Sequence, residues 1–109
     1  MFETLEQEHQ DCLEDVALRE RAEVALPAAL AVYNRARGIA DYHAVETGAA
    51  GGSERHWEKS GGRDAYSREL VAEQRWLTLR ALVEQKTNMG RVGYFVRAEI
   101  EGAIASVEN

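Results

Sequence analysis

Apolar positions along this chain recur mostly at the three-to-four-residue spacing of amphipathic helices. Advancing about 100° per residue, Phe2, Leu5, His9, Cys12, Leu13 and Val16 gather in one arc, while Glu3, Glu8, Asp11, Glu14 and Asp15 lie opposite. The phase then fails, because Leu18 falls among the acids and Glu20 on the apolar side. The pattern therefore predicts a first helix over residues 2–24 that ends, bends or restarts before Pro27. Pro27 suits the first turn of a second helix, where its missing N–H would have no partner anyway. That helix is expected over residues 27–47, with Ala29, Leu30, Val32, Tyr33, Ala36, Ile39, Ala40 and His43 on one broad face and Gly48 as its stop.

Residues 48–63 contain the run GGSERHWEKSGG and read as a long, flexible glycine-rich loop. Asp64 can cap a third helix over residues 64–88, with Asn88 and Gly90 as termination signals. This helix has three apolar sectors. Ala65, Ala72, Trp76, Leu79 and Val83 form one, Tyr66, Leu70, Leu77 and Ala81 a second, and Val71 and Leu82 a third. A helix apolar on several sides is normally surrounded, so it should be the central element or a contact between copies. From residue 91 to 107 two patterns compete: Val92, Tyr94, Val96, Ala98 and Ile100 alternate as in a strand, while Val92, Val96, Ile100, Ala103, Ile104 and Val107 make a helical stripe. The helical pattern covers more residues and no partner strand is evident. The expected fold is thus all-α: one domain of four helices in a bundle-like arrangement, with the long glycine-rich loop between the second and third.

Length and composition agree with a globular reading. A chain of 109 residues with 45% hydrophobic and 29% charged residues can bury one modest core without disulfides or metals. No apolar run approaches the ~20 residues of a membrane span, and the N-terminal stretch MFETLEQEHQDCLED is acidic, unlike a signal peptide. A soluble, cytoplasmic protein is the expectation. With Cys12 as the single cysteine, an internal disulfide and a cysteine-based zinc cage are both excluded.

Charge is unevenly placed. In residues 1–23 eight acidic residues oppose only Arg19 and Arg21, which accounts for the whole net charge of -6. Residues 55–97 hold nine Lys or Arg against five acids. The molecule should therefore have an acidic end and a mildly basic one.

Candidate reaction centres are incomplete. Glu6 and His9 form an E-x-x-H pair of the kind di-iron helical bundles use, but the second such pair and two more inward glutamates are missing. His9 with Cys12, and His43 approaching across the core, could supply metal ligands only without a clear carboxylate partner. No metal or other cofactor is expected. Ser53, Ser60, Ser67 and Ser106 lack a G-x-S-x-G setting, and GAAGGSER lacks the Lys-Ser/Thr ending and preceding strand of a phosphate loop. Residues 75–97, with Arg75, Arg80, Lys86, Arg91 and Arg97 around a KTNMG turn, allow a helix-turn-helix DNA reader. Against it, Val92, Gly93, Tyr94, Phe95 and Val96 would open the reading helix with apolar mass.

What remains is interaction. Glu3, Glu8, Asp11, Glu14 and Asp15 form a row of carboxylates able to dock on a basic partner surface and even to imitate a phosphate row. Arg55, His56, Trp57 and Arg63 place the residue types most enriched at binding hot spots within nine positions. Trp57 either waits exposed for a partner or folds back on the helices as a lid. The sequence thus points to a non-enzymatic adaptor, regulator or inhibitor that binds a protein with a basic surface, with homo-oligomerisation through the apolar third helix also open.

Overall fold

The computed structural model describes residues 2–49, 51–84 and 94–108, and of these the side chains of 15–49, 51–84 and 97–108. The chain is all-α: α1 (Phe2–Ala49), α2 (Glu54–Lys59), α3 (Gly62–Glu84) and α4 (Tyr94–Ala105), with no strand among the described residues. The ambiguous last segment is helical from Tyr94 onward. Residues 85–88 and 91–93, expected to be helical, lie outside the described residues.

Pro27 does not separate two helices. The chain runs through it as one helix of 48 residues, about 70 Å long at 1.5 Å per residue. The physical reason lies in a stripe that crosses the proline. Leu18, Ala22, Ala25 and Ala29 are buried, and the same three-to-four spacing continues through half-buried Tyr33, Ala36, Ala40 and His43 to buried Thr47. Such a seam is that of a coiled coil. Pro27 sits on the exposed side. Its lost backbone bond costs about 3 kcal/mol, and packing of Ala25 and Ala29 on either side holds the helix against that cost. Leu18 looked misplaced only because residues 2–16 follow a different apolar phase.

α3 carries the matching stripe, Gly62, Ala65, Ala72, Leu79 and Leu82 buried with Glu69 and Trp76 half-buried between them. It lies antiparallel to α1, since Trp76 stacks on Tyr33 while Gly61, just before α3, faces His43. Alanine at so many seam positions lets the two backbones approach closely. α4 adds Ile100, Ala103 and Ile104 to Leu18, Ala22, Ala25, Ala29, Leu79 and Leu82, completing a three-helix core. Leu79, Ile100 and Ile104 are its largest fully buried side chains, each stabilising the fold by about 1.5–3 kcal/mol. Ion pairs join α1 to α4 and the residues after it. Arg97 meets Asp15, and Glu108 just beyond α4 meets Arg21 at 3.1 Å.

This core occupies only part of the molecule. With a radius of gyration of 19.0 Å, against roughly 13 Å for a compact chain of this length, the fold is a rod of 69 × 25 × 21 Å. α4 spans about 18 Å and covers one half of the α1–α3 hairpin. The other half is two helices thick, closed at its tip by α2.

The expected loop 48–63 is therefore largely structured. Gly51 and Gly52 end α1 with φ of 101° and 74°, a left-handed backbone that glycine adopts without steric cost. Ser53 then caps α2 by accepting a hydrogen bond from the His56 N–H at 3.3 Å. Gly61, at φ 93°, turns the chain into α3, which starts at Gly62 rather than at 64.

Candidate functional site

The side chains of Glu3, Glu8, Asp11 and Glu14 lie outside the described residues, although their backbone belongs to α1. Asp15 corrects the expectation of a solvated face. It is only 6% exposed and bonded to Arg97, because α4 packs across this level of α1. The carboxylate row therefore stops short of Asp15, which serves the α1–α4 contact.

At the other end of the rod, Arg55 and His56 are exposed on α2 and Trp57 is half-buried. Its indole lies against the backbone of Gly62 so closely that a Cβ there would stand 2.1 Å from Nε1. Trp57 thus folds back as a lid on the hairpin tip. Arg63 bonds Glu58 and lies 3.9 Å from Glu54, tying α2 to the start of α3. About 40 Å of α1 separates Asp15 from the level of His43 at this tip. The two expected partner patches sit at opposite ends of the molecule, and one compact surface cannot engage both.

The residues of the other candidate chemistries are also dispersed. His9 and His43 lie on one continuous helix, about 50 Å apart along its axis, so His43 does not approach His9 across a core. Among the described residues no group of three His, Cys, Asp or Glu is placed to hold a metal, and no helix is long and apolar enough to cross a membrane. Of the basic residues in 75–97, Arg80 lies over the Trp76 ring at 5.4 Å and bonds Glu84 at 2.9 Å, and Arg97 is bound to Asp15. Lys86 and Arg91 lie outside the described residues.

A different site emerges where α4 leaves the hairpin bare. Val32, Ala36 and Ile39 of α1 and Ala65, Val71 and Ala72 of α3 line a groove of about 420 Å³. Small alanines make its floor, while Val32, Ile39 and Val71 form walls that stay 44%, 48% and 48% exposed. Arg35, Arg68 and Arg75 stand around it. None of the three is paired with a carboxylate among the described residues. Val32 and Ile39 follow Leu18 and Ala25 at seven-residue steps along α1, so they continue the face that carries the three-helix core. A second groove of about 520 Å³, between α3 and α4, shares Val71 and Arg75 with the first. Chemically, the first groove offers apolar contact edged by Arg35, Arg68 and Arg75 with Ser67 beside them, and the second adds Thr78 and Glu99 to its polar lining.

The sequence placed the apolar groove residues on helix faces, those of the third helix as core or a contact between copies, and Arg75 in a DNA-reading candidate, but did not bring them together as a site. Their signal was the third apolar sector of α3, with Val71 on it, and the seven-residue spacing of Arg68 and Arg75. Without the position of α4, that sector could not be told from core. Compared with known proteins, the chain matches no family model, no curated protein and no solved structure.

Proposed function

We propose that this protein is a non-enzymatic interaction protein, an adaptor, regulator or inhibitor, that holds an amphipathic helix of a protein partner in the arginine-edged groove between α1 and α3. The observation that carries this reading is the groove itself. Three large apolar side chains are half-exposed on a face that, one half-molecule further along, takes a third helix into a buried core. Exposed apolar surface of this kind, edged by charge, is the usual mark of a docking site, and a helix laid in a groove is a common way to cover it. Arg35, Arg68 and Arg75 favour a partner helix flanked by acids.

The acidic N-terminal part of α1 and the Trp57 tip remain as further contact surfaces in this reading, the first toward a basic partner. Titration of a synthetic amphipathic helix with one leucine face and glutamate flanks tests the groove. Binding is expected, abolished by Val71→Asp and weakened by salt. Absence of binding, or binding indifferent to Val71→Asp, removes the groove from the proposal.

A further inference from the structure

We infer that the groove takes the acidic N-terminal segment of a second copy of this chain, so that the protein assembles by docking residues 2–16 of one molecule between α1 and α3 of another. This rests on the groove being a helix acceptor and names its occupant.

Charge and shape select that occupant. The groove has an apolar floor and three arginines without carboxylate partners among the described residues. The sequence of residues 2–16 supplies the complement, an apolar stripe of Phe2, Leu5, His9, Cys12 and Val16 opposite a row of Glu and Asp, in the segment that holds the chain's whole net negative charge. Length agrees as well, since 15 helical residues extend about 22 Å and the groove follows α3 from Ala65 to Arg75, about 15 Å.

The stripe of residues 2–16 also runs out of phase with the core seam of α1. Followed back from Leu18, the seam reaches Asp15, which is buried, whereas Val16, the last member of the N-terminal stripe, is 46% exposed. The N-terminal apolar phase is therefore not the one the chain's own core uses. Self-docking within one molecule is excluded by geometry. Segment and groove belong to the same unbroken helix, with about 40 Å between residue 8 and residue 36, so a helix of this length can bring them together only between two copies. The contact joins two different patches. Reciprocal closure gives a dimer, and open continuation gives a filament.

Sedimentation of the full chain across a concentration series, at low and high salt, tests the inference with two charge-reversed variants. The first carries R35E, R68E and R75E in the groove, all three exposed positions, and the second E8K, D11K and E14K in the segment; circular dichroism checks that helicity is kept. Wild type is expected to associate, less so at high salt. Each variant alone should weaken association by roughly tenfold or more. Mixed in equal amounts the two should associate again, because each then offers the charge the other lacks. A wild-type chain that stays monomeric, an assembly that ignores both reversals, or a mixture that fails to recover association overturns self-docking. If a monomeric chain still binds the synthetic leucine–glutamate helix in a Val71-dependent way, the groove stands and only its occupant is wrong. Loss of both removes the groove reading too.

Discussion

Tyr33 of α1 and Trp76 of α3 stack with their ring centroids 5.4 Å apart and their planes 13° from parallel. The pair marks the boundary between the three-helix half of the rod and the two-helix half that carries the groove. Arg80 lies 5.4 Å from the Trp76 ring centroid and bonds Glu84, so the indole is held by a ring and a cation together. Trp76→Ala should cost about 3 kcal/mol of stability, and Trp76→Phe much less, because a ring still faces Tyr33. Urea denaturation of the two variants makes the comparison. Equal losses would mean that a ring facing Tyr33 recovers nothing and would contradict the stacked arrangement.

Tyr33 also gives the stability an alkaline limit. Burial first, then the negative charge and hydrogen bond of Glu73, raise its phenol above the ordinary value of 10.0. A folded-state pKa above the unfolded one means that the native chain keeps a proton the unfolded chain releases. This contribution is complete below about pH 10 and is lost as pH climbs through the raised value. The stability difference between wild type and Tyr33→Phe should therefore be constant from neutral pH to about 9 and shift against wild type above 10. A difference that stays flat into that range contradicts the assignment.

Asp15 and Arg97 form a largely buried ion pair between α1 and α4, with side chains 8% and 25% exposed. Removing one partner leaves a charge in a low-dielectric setting, so Arg97→Ala should cost about 3–5 kcal/mol. Replacing both, as Asp15→Leu with Arg97→Met, should cost far less. Thermal or chemical denaturation of the single and double variants measures the coupling. Additive losses would show that the pair does not act as a pair.

Gly62 is held to glycine by Trp57. A Cβ at this position would meet the indole at 2.1 to 2.6 Å, so Gly62→Ala must displace the ring and loosen α2. In a Trp76→Phe background, the Trp57 emission should move to the red in Gly62→Ala. Trp57→Ala should recover most of the stability lost in that variant. An unshifted emission would place Trp57 elsewhere.

Pro27 distinguishes one helix from two. Inside a continuous α1, and exposed, it withholds a backbone hydrogen bond, and Pro27→Ala should stabilise the protein by up to about 3 kcal/mol. At the start of a separate second helix the same change would be neutral or unfavourable. Denaturation midpoints decide between the two, with a loss of stability in Pro27→Ala counting against the long helix.

How far the sequence reached differs from one segment to the next. The helical period alone was enough for the all-α class and for the third helix to within two residues at its start. Ser53 and the glycines around it marked the ends of α2 in plain view, yet a six-residue helix between glycine pairs reads as a loop until the tip it caps is known. Leu18 was the misleading residue. Judged against residues 2–16 it seems out of phase, and judged against Ala22, Ala25 and Ala29 it opens the core seam.

By itself, then, the sequence determined which residues can share a helical face, since periodicity is a local property of each segment. Which of those faces is buried was decided only by tertiary packing. Asp15 is buried because Arg97 arrives from the far end of the chain, Pro27 stays inside a helix because α3 and α4 hold both sides of it, and Val71 is left open because α4 packs beside it across a groove and does not cover it. Each of these depends on contacts between residues some thirty to eighty positions apart, and no local pattern records where such partners will lie.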